Sequence, residues 1–313
     1  MAVDFKSVGI IGTGVIGSSW AAFYSSIGME VKMYDLDDQC RRKGLERAIN
    51  FIEGINTGGL ISDREREDAL SKLKTTKTIE EAAKNVDIIQ ESVAENYHVK
   101  HAVFKIVDSE SEPETIILSS SSGLLMTEIQ KAAHRPERCL IAHPFNPPHL
   151  VPLVELVPGE KTDGKILLRV KEFFEAVGKT PVILKKEVPG HIANRLSAAL
   201  WREAVDIVLK GVADVEEVDK ALRAGPGLRW ALMGPHLTYH LGGGEGGIKH
   251  FIDHLGPAFE TWLNDMAVWT KFPLESREIL SEGVEKEIEG KSQSELAEWR
   301  DQKLIEIIKL LYK

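Results

Sequence analysis

The sequence is poor in cysteine and lacks any long hydrophobic run. Its 313 residues include only two cysteines, Cys40 and Cys139, which are too few for a disulfide framework and indicate a reducing compartment. No stretch reaches the roughly 18 apolar residues that a membrane-spanning helix needs. The N-terminal residues show no charged leader followed by an apolar segment, so we expect no secretory signal. These absences predict a cytoplasmic protein without a membrane partner.

An excess of basic residues is also lacking. Aspartate and glutamate number 48 and lysine and arginine number 39, which gives a formal net charge of −9. Nucleic acids and anionic membranes bind positively charged surfaces, so neither is an expected partner. Two histidine pairs have i, i+4 spacing, His236 with His240 and His250 with His254. No third ligand accompanies either pair, so we predict no metal site.

What is present is an alternation of short β-branched runs and amphipathic stretches over the first half of the chain. Strands that alternate with helices are typical of a mostly parallel sheet with helices on both faces. The segment 39–74 is too long for a plain connection and predicts an inserted helical pair, broken at 57–59. The predicted strands cover residues 8–11, 31–35, 86–90, 115–118, 139–142, 151–157 and 182–184.

Helix boundaries and a domain boundary can also be read from the sequence. Ser62 with Glu65, and Thr78 with Glu81, fit the capping box at a helix start. Strand patterns stop near residue 188, which predicts a first domain over 1–188 and an all-helical domain over 189–313. An apolar stripe near the C-terminus combines Leu304, Ile307, Ile308 and Leu311 at helical spacing.

A glycine-rich turn follows the first predicted strand and opens a helix. Its sequence is G-x-G-x-x-G, in which the glycines allow a tight turn, close approach of a pyrophosphate and helix–strand packing. An acidic residue closes the second predicted strand, where a carboxylate accepts hydrogen bonds from an adenosine ribose. This pattern predicts a Rossmann-type domain that binds NAD, with FAD and NADP as less favoured alternatives. The predicted cofactor contacts are Gly12, Gly14, Val15, Ile16, Gly17 and Asp35.

A histidine and a glutamate stand 12 residues apart in the sequence, on two neighbouring predicted strands. His143 ends one strand, and Glu155 lies within the next. A carboxylate beside an imidazole orients the ring and stabilises its protonated form, which suits a general acid/base near neutral pH. Taken alone, each residue is as compatible with a structural role.

These motifs together resemble the L-3-hydroxyacyl-CoA dehydrogenase superfamily along nearly the whole chain. The family's catalytic quartet maps onto Ser122 in L-S-S-S-S-G-L, His143 in H-P-F-N-P, Glu155 in L-V-E-L-V and Asn194 in P-G-H-I-A-N-R-L, where the family has P-G-F-x-x-N-R-L. The resemblance implies that His143 is the acid/base and that Glu155 orients it. It also implies that Ser122 binds the reacting oxygen and that Asn194 fixes either the substrate carbonyl or the water network of the histidine. The stretch E-S-V-A-E-N and the lysine after it resemble the family's nicotinamide loop, which implies cofactor contacts from Glu95 and Lys100.

The second half resembles the branch of that family that uses free 3-hydroxy acids. Its motifs are similar to those of L-gulonate 3-dehydrogenases and L-carnitine dehydrogenases, and the acidic stretch 62–68 disfavours a CoA ester without excluding it. Arg229 is a candidate partner for a substrate carboxylate, with a subunit-interface or structural ion pair as an equally favoured alternative. The resemblance implies a homodimer. An NADH-binding structural protein, as in lens crystallins, is the alternative outside the enzymes.

Overall fold

The structure is a computed structural model that describes residues 5–312. Its centre is one eight-stranded sheet with strand order β3-β2-β1-β4-β5-β6-β7-β8. All neighbouring strands are parallel except β6 and β7, which are antiparallel. The strands are β1 Ser7–Ile11, β2 Glu30–Tyr34, β3 Leu73–Thr75, β4 Ile88–Glu91, β5 Ile116–Ser119, β6 Cys139–Pro144, β7 Leu153–Pro158 and β8 Thr180–Ile183.

The central strands are buried on both faces, which explains their near-continuous apolar sequences. Successive side chains of a strand point to opposite faces, and neighbouring residues accordingly enter different hydrophobic clusters. Ile10, Ile88, Ile116 and Leu140 lie in one cluster, while Ile11, Ile89, Ile117 and Ile141 lie in the other. The predicted α/β sheet with helices on both faces is confirmed.

Helices flank the sheet and then make up the rest of the chain, as predicted. Among residues 5–312, no helix has the length and apolar content to cross a membrane. The helices are α1 Val15–Ser26, α2 Asp38–Thr57, α3 Asp63–Lys72, α4 Ile79–Ala83, α5 Tyr97–Glu110, α6 Met126–Ile129, α7 Gly164–Ala176, α8 Ala193–Leu209, α9 Val215–Ala224, α10 Pro226–Gly242 with a break at Gly234, α11 Gly247–Asp265, α12 Ser276–Glu287 and α13 Gln293–Leu311.

The inserted helical pair predicted over 39–74 is α2 and α3. Ser62 starts α3 with a complete capping box, in which its hydroxyl and the Glu65 carboxylate each bind the other residue's backbone. The second predicted box is only half formed. Thr78 caps the Glu81 amide, but the Glu81 carboxylate accepts from the amide of Lys77, one residue earlier than the motif requires.

The chain forms two compact units, one of residues 1–194 with 299–313 and the other of residues 195–298. The sequence interpretation assigned the C-terminal residues to the helical part, whereas the structure packs them with the first unit. Ile305 of α13 lies buried against Ile55 and Leu150. The predicted apolar stripe is therefore offset, because Ile305 is buried while Ile307 is 47% exposed.

A buried histidine, His149, lies in the loop between β6 and β7. The Ser19 hydroxyl accepts from the His149 backbone amide at 2.9 Å and lies 2.7 Å from Nδ1. Which of these two atoms donates depends on the tautomer of the ring. The ring stacks on Phe51 with centroids 4.3 Å apart. Burial, with the positive charges of Lys179 and Arg300, lowers the pKa of His149 to about 3.

This histidine makes the protein sensitive to acid. The unfolded chain binds a proton at this residue near pH 6.5, but the folded chain binds it only near pH 3, so stability is lost as the pH falls through that window. At about pH 5 the loss is about 2 kcal/mol. We expect His149→Asn, whose side-chain oxygen can accept from Ser19, to lose about 2 kcal/mol less between pH 7 and pH 5 in urea unfolding. An identical pH dependence in both proteins would contradict this account.

Candidate active site

The glycine-rich turn lies between β1 and α1, at the point where the strand order reverses from β1 to β4. Gly12 has φ +91°, and a Cβ there would lie 2.7 Å from the Ser92 carbonyl oxygen after β4. A Cβ on Gly17 would lie 1.9 Å from the Gly12 carbonyl oxygen. Both positions therefore require glycine. Open α/β sheets bind ligands at such a switch point, which is where the sequence placed the cofactor.

The start of α1 offers backbone amides to an anion. Gly14 is its N-cap, no side chain occupies the cap, and the first turn has no acidic residue. A Cβ on Gly14 would meet nothing within 4 Å, so there is open space beside the turn. Val15 at the first helical position is 52% exposed. Free amides and the positive end of the helix dipole favour phosphate groups here, and the residues fit a dinucleotide.

Asp35 lies at the end of β2 and contacts the same turn. Its Oδ2 accepts from the Thr13 amide at 2.7 Å and the Thr13 hydroxyl at 3.0 Å, and its Oδ1 accepts from the Leu36 amide. The Arg41 guanidinium donates to the Asp35 backbone carbonyl at 2.7 Å, away from the carboxylate. The carboxylate is thus fixed beside the turn as a negative group, which opposes the 2′-phosphate of NADP.

His143 and Glu155 face each other across the antiparallel pair β6–β7. The sheet register places them directly opposite, and His143 Nδ1 lies 2.8 Å from Glu155 Oε2, with both side chains buried. Glu155 Oε1 also accepts from the amides of Ile192 and Ala193 at 2.8 and 2.9 Å. Burial by itself would raise the pKa of Glu155, but hydrogen bonds from His143, Ala193 and Ile192 outweigh it and lower the pKa.

The ionised glutamate fixes the tautomer of the imidazole. A carboxylate is an acceptor only, so His143 Nδ1 carries the hydrogen, and the neutral ring keeps a lone pair on Nε2. A ring held in this way is a base at Nε2 and, once protonated, an acid at the same atom. The predicted His–Glu contact is therefore present in the structure.

The turn after β5 that contains Ser121 and Ser122, called the serine turn below, is the last part of the candidate site. Ser122 has an exposed side chain, and its carbonyl accepts from Asn194 Nδ2 at 3.1 Å. Asn194 lies in the first turn of α8, directly after Ala193, whose amide binds Glu155. The four residues predicted as a quartet are thus linked through Glu155, the start of α8 and the serine turn.

Glu95 and Lys100 were predicted as cofactor contacts. In the structure, Glu95 hydrogen-bonds to the serine turn, and Lys100 lies beside Glu95. Glu95 Oε1 accepts from the Ser121 hydroxyl at 2.6 Å and from the amides of Ser122 and Gly123. Burial opposes its ionisation, but the Ser121 hydrogen bond and the Lys100 charge prevail and lower the pKa of Glu95. Its side chain remains 41% exposed.

Lys100 is 1% exposed and lies in an ion pair with the fully buried Glu91. Its Nζ donates to both Glu91 oxygens at 2.8 and 3.0 Å and lies 3.4 Å from Glu95. Glu91 Oε2 accepts in turn from the Ser119 hydroxyl at 2.6 Å. Sequence reasoning missed Glu91 because a carboxylate at a strand end gives no local sign of its partner.

A second residue that sequence reasoning did not use is His191. Its ring centroid lies 5.2 Å from that of His143, and its Nε2 lies 3.1 Å from the Ser121 carbonyl oxygen. The signal was available, since this histidine stands where the related pattern has phenylalanine.

Arg229, the predicted carboxylate partner, belongs to the second unit. It is exposed on α10, and no ion pair of Arg229 occurs within the described range 5–312. Its role, in substrate binding or in a subunit-interface ion pair, stays a prediction.

Comparison with known proteins decides the family. Residues 7–188 match the NAD-binding domain of 3-hydroxyacyl-CoA dehydrogenase, and residues 190–280 match the C-terminal domain of the same enzyme. This chain belongs to the 3-hydroxyacyl-CoA dehydrogenase family. As a member of that family it is an NAD-dependent dehydrogenase that acts on the CH–OH group of its donor. The resemblance, the cofactor and the enzyme class predicted from the sequence are confirmed.

Members of the 3-hydroxyacyl-CoA dehydrogenase family with high similarity include two L-carnitine dehydrogenases. The one from Oceanobacillus iheyensis is 40% identical, with 98% of each chain covered. The one from Bacillus cereus is 38% identical, with 99% of this chain and 94% of that protein covered. A solved structure also matches, with a TM-score of 0.82 at 26% identity, over 98% of this chain and 99% of the other. It is that of 5-formyl-3-hydroxy-2-methylpyridine 4-carboxylic acid 5-dehydrogenase, an NAD+-dependent dismutase.

Proposed function

We propose that this dehydrogenase oxidises the C3 hydroxyl of a small, free L-3-hydroxy acid to the 3-keto acid. The observation that carries the proposal is the His143–Glu155 pair, which presents a basic Nε2 from a buried strand end. NAD+ supplies the hydride acceptor when bound. Similarity to L-carnitine dehydrogenases over nearly the whole chain supports a free acid as the donor.

The residues divide the work as follows. His143 Nε2 takes the hydroxyl proton as the carbonyl forms. The Nδ1–H of the ring remains hydrogen-bonded to the Glu155 carboxylate, which stabilises the imidazolium. Ser122 and Asn194 hydrogen-bond the reacting oxygen or the substrate carbonyl, and Glu95 and Lys100 hold the turn that carries Ser122. In the reverse direction, the same imidazolium returns the proton. Arg229 is our candidate for a substrate carboxylate, because its planar guanidinium binds carboxylates with two parallel bonds.

A CoA ester is the second candidate within the family. CoA phosphates need free cationic side chains near the helical pair. Arg66 of α3 is already paired with Glu53 at 2.8 Å, and Glu67 lies 3.9 Å from the same guanidinium. Asp63 and Asp68 add negative charge, although Lys72 pairs with Asp68. This balance favours a free acid.

The carnitine and gulonate alternatives differ in what surrounds the carboxylate. A trimethylammonium group binds to aromatic faces. In the second unit, the rings of Tyr239, Phe251, Phe259 and Trp262 form one cluster, with centroid distances from 4.7 to 5.8 Å. Trp262 is 55% exposed. These rings pack against one another, so the preference for L-carnitine over L-gulonate rests on the two relatives.

The test is an NADH-formation assay with L-carnitine, L-gulonate, L-3-hydroxybutyrate and 3-hydroxybutyryl-CoA. We expect the highest kcat/KM with a free acid, L-carnitine first. Preference for the CoA ester by orders of magnitude would overturn the substrate assignment. A protein that binds NADH but oxidises none of the four would favour the structural, crystallin-like alternative.

A homodimer in the cytoplasm remains our proposal for the assembly. Large apolar side chains are exposed on two helices of the second unit, which is typical of an interface between protein chains. On α10 these are Leu228, Leu232, Leu237 and Leu241, and on α11 they are Ile252, Trp262 and Leu263, each at least 50% exposed.

A further inference from the structure

His191 departs from the pattern that this chain otherwise follows. It replaces the phenylalanine of P-G-F-x-x-N-R-L, and it is 1% exposed, in left-handed backbone with φ +51°. Burying an imidazole costs more than burying a phenyl ring of similar size, because its two nitrogens give up water. Stability alone therefore does not explain a histidine here.

The hydrogen bonds of His191 leave one nitrogen unused. Nε2 lies 3.1 Å from the Ser121 carbonyl oxygen, and since a carbonyl only accepts, Nε2 carries the hydrogen. In the neutral ring, Nδ1 is then a bare acceptor. It is buried and has no hydrogen-bond partner in the part of the chain that the structure describes. Most buried polar atoms have a hydrogen-bond partner, so an unpartnered acceptor beside the His143 ring calls for an explanation.

The neighbours of His191 belong to both halves of the catalytic group. On one side, its ring lies 5.2 Å from the His143 ring, tilted by 58°. On the other side, it anchors the backbone of Ser121, one residue before Ser122. Glu95 holds the same turn from a different direction, through the Ser121 hydroxyl and the Ser122 amide. His191 is thus a second contact between the base and the serine turn, in addition to the link through Glu155, Ala193 and Asn194.

The charge state of His191 matters because of what His143 becomes during the reaction. Burial lowers the pKa of His191, and the nearby His143 lowers it further, while the Ser121 hydrogen bond, Glu155 and Glu95 oppose these effects. The net direction is downward from the usual value of about 6.5. A neutral ring next to His143 does not repel the imidazolium that forms when His143 takes the substrate proton.

We propose that His191 is a positioning residue that locks the serine turn against the His143 ring and must be uncharged for turnover. The role rests on the proposed function, because it acts through His143 and Ser122. It also separates this chain from the resembled pattern P-G-F-x-x-N-R-L, which has phenylalanine at this position.

Two substitutions test the role of the hydrogen bond. His191→Phe restores the family residue and removes the donor to Ser121, and we expect kcat to fall about ten- to a hundredfold with little change in NADH affinity. His191→Gln keeps an Nε2–H donor in a similar place without a titratable ring. We expect it to recover most of the lost kcat. Equal kcat in the wild type and the Phe variant, or no recovery with Gln, would overturn the proposal.

The matched control is His101→Phe. His101 Nε2 lies 2.8 Å from the Glu128 carbonyl oxygen, so this change also removes an imidazole–carbonyl bond, but at a residue outside the site. We expect it to leave kcat unchanged. A comparable loss in His101→Phe would assign both effects to folding and would overturn the catalytic interpretation of His191.

The charge requirement is tested by pH. In the wild type, we expect the acid limb of log kcat/KM to steepen at low pH as His191 gains a proton, and in His191→Gln we expect it to keep a slope of about one. Circular dichroism over the same range checks that the fold persists. An acid limb of the same shape in both proteins would overturn the requirement for a neutral ring.

A measurement without turnover separates this proposal from the proposed function. ¹⁵N NMR of histidine reports tautomer and protonation directly. At the usual histidine pKa of about 6.5, we expect His191 to be mainly the neutral Nε2–H form. A charged His191 at that pH would overturn the proposal even if a 3-hydroxy acid is oxidised. If His191 has the expected tautomer but the protein oxidises none of the tested acids, the proposed function is wrong and the tautomer assignment is not.

Discussion

His143→Asn is expected to lower kcat for the 3-hydroxy acid by about 10²- to 10⁴-fold, the usual contribution of a general acid/base. Asparagine places an amide donor near the position of Nδ1, so Glu155 keeps a partner for the oxygen that lies 2.8 Å from the ring. What is lost is Nε2, the atom that takes the hydroxyl proton. The assay is initial-rate NADH formation under saturating substrate.

Three measurements make the His143 result specific. The glycine turn and Asp35 are untouched, so the Kd for NADH, measured by fluorescence, should stay within about twofold, well under 1 kcal/mol. The urea midpoint should also change little. His101→Asn, at a histidine outside the site, should retain full activity. If His143→Asn keeps more than a tenth of the wild-type kcat, His143 is not the acid/base.

Lys100→Met is expected to cost about 3–5 kcal/mol of unfolding free energy, because it leaves the buried Glu91 carboxylate without its counter-charge. The two side chains are 1% and 0% exposed. Glu91 would keep its bonds from the Ser119 hydroxyl and the Val93 amide, which offset only part of the loss. The measurement is equilibrium urea unfolding at neutral pH.

A double variant isolates the pair. Glu91→Gln neutralises the carboxylate and keeps one oxygen, which can accept from the Val93 amide while the new NH2 group donates to the Ser119 hydroxyl. Combined with Lys100→Met it should therefore recover part of the lost stability, with a coupling energy of about 1–3 kcal/mol. The control is Lys131→Met, which breaks an exposed pair with Glu128 and should cost less than about 1 kcal/mol. Unchanged stability in Lys100→Met, with weaker NADH binding alone, would instead favour the cofactor contact predicted from the sequence.

The sequence predicted those parts of the fold that depend on local pattern. The glycine turn, the strands around it and the helical pair could be found because each has its own period or its own cap, as at Ser62. Strand β3 was missed, since it has three residues and two of them are exposed. The C-terminal stripe was offset because helical spacing alone does not show which face meets Ile55 and Leu150.

The sequence predicted which residues belong to the site better than it predicted the contacts between them. His143 and Glu155 could be paired because they lie on strands adjacent in sequence. Lys100 could not be paired with Glu91 in the same way, because that contact depends on how α5 packs beside the end of β4. Tertiary contacts of this kind leave no periodic trace. His191 could be recognised in the sequence as a departure from a motif, but its proposed role follows only from the position of the neighbouring His143 ring.

The discontinuous first unit has a consequence for recombining members of this family. Because α13 packs its Ile305 against Ile55 and Leu150, the helical residues 195–298 are an insertion in the topology of the nucleotide-binding unit, which resumes at residue 299. A chimera that exchanges everything after residue 188 would therefore replace part of the nucleotide-binding unit's own core. Exchange of 195–298 alone would place its junctions inside α8 and α13, and it would leave in place the part of α13 that packs Ile305 against Ile55 and Leu150.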